Sequence, residues 1–194
     1  MKCVLGEACG SFESKGSKFL AYLMPFAAFE ARLTALKEAH PKAVHYVSAS
    51  RHFNEYQQII ESFDDDREPR GSSGMPCLNV LRGEELIDGA VVVVRYFGGT
   101  LLGVGGLVRA YGSAVQAALQ GAREQGLLTS YVRLESCELA LPYALLSQCE
   151  HLAKIHNISA TKLSFDAQGA TLRLQGTQEN LAKLQAKFKE AFNL

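Results

Sequence analysis

A chain of 194 residues with 47% hydrophobic and 21% charged side chains can form one large domain or two small ones, and is too apolar to be disordered. Basic and acidic residues each number 20, so the net charge is zero and any contact with nucleic acid must come from a local patch. No apolar run reaches the roughly 18 residues of a membrane span, and the amino terminus lacks the apolar stretch of a leader, so a cytoplasmic location is expected.

Five cysteines, an odd number without a C-x-x-C pair, argue against a disulfide framework and against zinc. Free thiols are expected. Residues 1–130 carry 13 basic and 14 acidic side chains, and residues 131–194 carry 7 and 6, so neither part is a polycation.

In chain order, Lys18 to Met24 reads as a strand. Phe26 to His40 reads as an amphipathic helix with Phe29, Leu33 and Leu36 at helical spacing, stopped by His40-Pro41. Ala43 to Ser50 alternates as a strand does. Tyr56 to Phe63 is rich in β-branched and aromatic residues and is taken as a strand. Asp64 to Gly74 is a loop by composition, with Ser72 or Ser73 placed to cap a short helix reaching about Leu81. Ala90 to Phe97 is the clearest strand, and its four successive valines predict burial on both faces. Leu107 to Ala122 is a helix with Val108, Tyr111, Val115 and Leu119 on one face.

A second unit is expected from residue 127, giving domains 1–126 and 127–194. Tyr131 to Leu141 is a strand, Pro142 opens a helix to about His156, and Ile158–Phe165 with Ala170–Leu174 form a hairpin turning at Asp166–Gly169. Glu179 to Phe192 is the last helix. The order β-α-β-β-α is that of a ferredoxin-like unit lacking its final strand.

Two blocks carry the chemistry. One is Asp64-Asp65-Asp66-Arg67-Glu68-Pro69-Arg70-Gly71-Ser72-Ser73-Gly74-Met75-Pro76, with four carboxylates in five residues. Such a run either binds a divalent cation or solvates a surface turn, and the turn is the commoner outcome. The other runs from Arg95-Tyr96-Phe97-Gly98-Gly99 through Gly103, Gly105 and Gly106 to Arg109-Ala110-Tyr111. A buried strand there feeds a glycine-rich loop and then a helix start, where unpaired N–H groups can meet a phosphate. Arg95 and Arg109 add guanidinium forks, and the aromatic residues could stack on a base. The same glycines could instead serve close packing alone, since neither a dinucleotide fingerprint nor a P-loop is present. The histidines are scattered, and no metal site or cofactor is expected. A nucleophilic pair of Cys77 with His45 is conceivable but has no support in spacing.

The two blocks resemble the IMPACT/YigZ family, whose members carry S-D-D-G-E-P-x-G-T-A-G-x-P and then V-R-Y-[FY]-G-G-x-x-L-G-x-G-G-L-[VI]-[RK]-A-Y. The second pattern matches from Val94 through Tyr111. Lys15-Gly16-Ser17-Lys18-Phe19 and Pro41-Lys42-Ala43-Val44-His45 resemble earlier family markers. The resemblance implies an α+β protein. Its N-terminal two-layer α/β domain would be like the second domain of a small-subunit ribosomal protein, and its ferredoxin-like C-terminal domain like the last domain of elongation factor G. Eukaryotic relatives regulate translation through an additional partner-binding domain, and that role is not carried over.

The resemblance implies a translation-linked protein binding RNA or the ribosome. The alternative is an enzyme acting on a phosphorylated or peptide-like small molecule. Either would use a cleft holding His45, Asp65, Asp66, Glu68, Ser72, Arg95, Tyr96, Gly98, Gly99, Gly103, Gly105, Gly106 and Arg109. This chain departs from the pattern at Arg67, which stands where the family has Gly, at Ser72-Ser73 for Thr-Ala, at Val104, and in the missing last strand.

Overall fold

The described residues, 1–192 of this computed structural model, form ten strands and five α-helices. The first unit contains β1 (Lys2–Val4), β2 (Ala8–Ser14), β3 (Ser17–Pro25), α1 (Phe29–Ala39), β4 (His45–Phe53), β5 (Ile59–Asp64), α2 (Gly74–Gly83), β6 (Gly89–Tyr96), α3 (Val104–Glu124) and β7 (Leu128–Ser130). The second contains β8 (Glu135–Pro142), α4 (Tyr143–Ile155), β9 (Ser159–Phe165), β10 (Gly169–Gly176) and α5 (Gln178–Phe192). Residues 193–194 of the expected second domain lie outside the described residues.

The four valines Val91 to Val94 are fully buried because β6 is the middle strand of an antiparallel sheet ordered β2-β3-β6-β4-β5. Alternation sends Val91 and Val93 into a core shared with α2 and α3, and Val92 and Val94 into a smaller one under α1. The sheet is therefore covered on both faces. The expected mixed α/β class holds, and α1 adds a layer on the second face to the two that were expected. Burying one such valine is worth about 1.5–3 kcal/mol, so this strand anchors the unit.

The hairpin of β2 and β3 is only half legible in the sequence, where Lys18 to Met24 reads as a strand and residues 8–14 carry no such signal. Exposed Cys9, Ser11 and Glu13 alternate with half-buried Gly10, Phe12 and Ser14 on an edge strand, which weakens the apolar signal. Ala110, Ala114, Ala118 and Ala122 line one side of α3 and are all buried. They let β2 approach so closely that a Cβ on Gly10 would lie 2.1 Å from the Ala118 nitrogen. Residues 56–58 belong to a turn rather than to the expected strand, and β5 begins at Ile59. There Asn54 accepts hydrogen bonds from the Tyr56 and Gln58 backbone N–H groups.

The chain divides after Tyr131, not after Gly126. The reason is pairing: β7 runs antiparallel to β1, with Lys2 opposite Ser130 and Val4 opposite Leu128. In the second unit the sheet order is β8-β10-β9, all antiparallel, with Leu172, Leu174, Leu184 and Cys149 in its core. That is the β-α-β-β-α arrangement expected, with β8 as one open edge. Among the described residues no helix is long and apolar enough to cross a membrane.

Candidate functional site

Arg95 follows the parity of Val91 and Val93, so its side chain enters the α2/α3 face of the sheet rather than solvent. It is 5% exposed. A buried guanidinium requires a counter-charge. Glu68, from the loop between β5 and α2, supplies it: Arg95 Nη1 donates to Glu68 Oε1. Tyr111 on α3 donates its hydroxyl to the same oxygen at 2.7 Å. The Arg95 guanidinium lies between two rings, 5.4 Å from the centroid of Phe19 and 5.7 Å from that of Phe97. Phe19 in turn meets Tyr111 edge-on, 5.0 Å between centroids. Burial first, and then the bond to Glu68, push the Tyr111 phenol far above its ordinary range, so it stays a donor.

His45, at the start of β4, completes the group. Its Nδ1 lies 2.8 Å from the Asp66 carbonyl oxygen, and its Nε2 is 3.7 Å from Glu68 Oε1. A carbonyl oxygen only accepts, so Nδ1 carries a hydrogen. His45, Glu68 and Arg95 floor a cleft of about 400 Å³ whose walls include Phe97, Leu101 and Val104. Gly103, with φ of 70°, stands at its rim and begins α3.

The remaining acidic residues of the first block are used elsewhere. The Asp65 carboxylate accepts hydrogen bonds from the Gly71, Ser73 and Gly74 N–H groups and from the Ser73 hydroxyl. Burial raises its pKa, and these donors outweigh it, so the carboxyl is held below the usual range. Asp65 thereby satisfies the start of α2. The expected capping by Ser72 or Ser73 does not occur, since the Ser73 hydroxyl donates to Asp65. Ser72 is fully buried, and among the described residues its Oγ has no partner. Asp66 accepts the Tyr46 N–H at 2.6 Å. The carboxylates thus point to different partners and do not converge, as the turn reading required.

Six more expected site residues, Tyr96, Gly98, Gly99, Gly105, Gly106 and Arg109, lie outside the cleft lining. Tyr96 has the opposite parity to Arg95, and its hydroxyl is 2.8 Å from His40 Nδ1 on the α1 face. Gly98 is a packing residue: a Cβ there would lie 1.9 Å from the Gly16 carbonyl carbon in the β2–β3 turn. Arg109 is exposed and lines a different cavity. A Cβ on Gly99 would meet nothing within 4 Å, one on Gly105 only the Arg109 side chain at 3.8 Å, and one on Gly106 the Leu102 side chain at 3.0 Å. Cys77 cannot be the partner of His45. It is fully buried, and burial, with the Asp65 charge, pushes its thiol well above the usual range.

The cavity that Arg109 lines holds about 460 Å³. Lys15 stands there as well, with Ser14, Ser113 and Gln116, and among the described residues no carboxylate lines it. Among the described residues neither Lys15 nor Arg109 has an ion-pair or hydrogen-bond partner. Leu102 lines both this cavity and the cleft. Lys15 escaped the sequence reading as a site residue because its turn, Lys15-Gly16, only meets α3 once the β2–β3 hairpin has formed.

Residues 15–119 match the family model described as the Impact N-terminal domain. An "IMPACT family member" of Haemophilus influenzae is 36% identical over 160 residues, covering 80% of this chain and 75% of that protein. The "IMPACT family member YigZ" of Escherichia coli is 39% identical over 146 residues, 71% of each chain. A crystal structure of a hypothetical protein superposes with a TM-score of 0.74 at 30% identity, covering 99% of this chain and 92% of that one.

Proposed function

This chain belongs to the Impact N-terminal domain family, and from that premise we propose that it is a translation-linked RNA-binding protein of the cytoplasm, acting on the ribosome or on RNA bound there. The observation carrying this reading is the cavity between Lys15 and Arg109. Among the described residues, two cations without counter-ions, two hydroxyls and an amide face one hollow that no carboxylate lines. Such a set suits the oxygens of a phosphodiester backbone. In a chain of zero net charge this is the kind of local patch that RNA contact requires.

The resemblance of the two blocks to a family whose N-terminal domain is like that of a ribosomal protein supports the same direction. The test is the affinity for a labelled single-stranded RNA as salt is raised. Each phosphate neutralised contributes about −0.7 to the slope of log K against log salt. Replacing both Lys15 and Arg109 by Ala should make the slope shallower by about 1.4, at two phosphates. A slope unchanged by the double substitution would sink the reading. Co-sedimentation of the protein with ribosomes tests the translational part.

A further inference from the structure

We propose that the apolar walls of the cleft, Phe97 with Leu101 and Val104, are a stacking site for an unpaired base, so that the RNA taken by this protein is single-stranded. The proposal rests on the backbone reading of the Lys15 and Arg109 cavity and adds a second site beside it. Phe97 is 47% exposed, Leu101 82% and Val104 58%, and all three line the cleft. Large apolar side chains left in water around one hollow mark a contact surface. Phe97 supplies a flat ring that is held in advance. The Arg95 guanidinium lies over it, 5.7 Å from the centroid, and is itself buried and bonded to Glu68. A ring fixed in this way loses little freedom when a partner stacks on it.

What occupies the cleft follows from its neighbour. Leu102 lines both the cleft and the cavity of Lys15 and Arg109. Gly103 and Val104 belong to the cleft, Gly106 and Arg109 to the cavity, so the two hollows meet at the start of α3. Val104 and Arg109 are about 7.5 Å apart along the axis of that helix. This is roughly the length of two stacked nucleotides at about 3.4 Å each. One hollow is cationic, and the walls of the other are apolar. A single nucleic-acid strand carries the complement, an anionic phosphate and a flat base in every unit. In a duplex the bases are already paired and stacked on one another, and an unpaired base is the one that can be splayed onto an aromatic side chain. A volume of about 400 Å³ is in the range of small-ligand sites and admits a base. Every base has a π-face, so stacking predicts little preference among the four.

The test compares three labelled probes at fixed salt by fluorescence anisotropy: a single-stranded RNA of mixed sequence, the same ribose-phosphate backbone built without bases, and the duplex of that RNA with its complement. The base-free strand should bind about 5- to 150-fold more weakly than the RNA, the range of one stacked base. The duplex should also bind more weakly than the single strand, despite its greater charge density. Phe97→Ala, its fold checked by circular dichroism, should weaken RNA binding by the same factor and leave the salt slope unchanged. Phe97→Tyr should restore the affinity, and Phe97→Leu, which keeps apolar bulk without a flat ring, should not. If Phe97→Ala fails to fold, the base-free strand decides on the unaltered protein. Equal binding of the base-free strand, or an RNA affinity unmoved by Phe97→Ala, would overturn the proposal and leave the cleft to the apolar side chains of a protein partner. The two readings fail separately. A salt slope made shallower by replacing Lys15 and Arg109, with no loss on removing the bases, would end stacking and leave the backbone contact standing. A loss on removing the bases, with the slope unchanged by that double substitution, would do the reverse.

Discussion

Tyr111 donates its hydroxyl to Glu68 over 2.7 Å, joining the long helix α3 to a loop 43 residues earlier in the chain. Both residues are buried, so the bond holds the loop onto the sheet face. Tyr111→Phe removes the donor and leaves the apolar ring in place. The expected loss is about 1–2 kcal/mol of unfolding free energy, read by urea denaturation with an unchanged slope. A loss below a few tenths would mean that the bond does not secure the loop.

The pair of Glu68 and Arg95 is the next test. With side chains 4% and 6% exposed, removing one partner strands a buried charge. Arg95→Ala should cost roughly 3–5 kcal/mol. Adding Glu68→Ala should cost much less than its own single substitution, with a coupling of at least about 1 kcal/mol. Asp66 is the control. It meets the Tyr46 N–H rather than Arg95, so Arg95→Ala and Asp66→Ala should add. Coupling of Arg95 with Asp66 instead of Glu68 would contradict the geometry.

How much of this was legible in the sequence depended on whether the signal was local. The valine strand and the helices α3 and α4 announce themselves, because burial on both faces and helical spacing are properties of short windows. That the acidic and glycine-rich blocks share a cleft was expected from their need for mutual support, and Glu68 with Arg95 realises it. Which carboxylate does so was not legible. The choice among Asp65, Asp66 and Glu68 depends on the turn that Asp65 winds around Gly71 to Gly74. Strand parity could have removed Tyr96 from the site, since it lies one residue from Arg95. Lys15 could not be added, because its relation to Arg109 exists only once β2 is seen as a strand. Strand β7 and its pairing with β1, which moved the boundary to Tyr131, were hidden for the same reason: three-residue strands carry no period.

Arg67 adopts φ of 69°, directly after Asp66 at 38°. The left-handed region costs an L-residue about 1–2 kcal/mol, of which a glycine is relieved, at some expense in the entropy of the unfolded chain. The side chain is 77% exposed, and its 3.5 Å approaches to the Asp66 carboxylate and to the Val44 carbonyl contribute little in water. Arg67→Gly should therefore stabilise the protein by about 0.5–1 kcal/mol, seen as a higher denaturation midpoint. Destabilisation would mean that the exposed contacts to Asp66 and Val44 outweigh the backbone strain.

Asp65 links this loop to pH. Its carboxyl is held below the usual range because, against burial, four hydrogen bonds favour the charged form. A group depressed in the folded state contributes stability that is complete above its unfolded pKa, near pH 4, and is lost as the pH falls through the lower folded value. The wild-type protein should accordingly lose stability on acidification below about pH 4. Asp65→Asn cannot titrate there, so the difference between the two proteins should be largest near neutrality and shrink as acid is added. At pH 7 the substitution should cost about 2–4 kcal/mol, since an amide oxygen is a weaker acceptor and, with that oxygen kept on the donors of Ser73 and Gly74, the NH₂ faces the Gly71 N–H. Parallel urea titrations at pH 7 and pH 3 measure both quantities. A gap between the two proteins that is independent of pH would mean that Asp65 holds the start of α2 by shape rather than by charge.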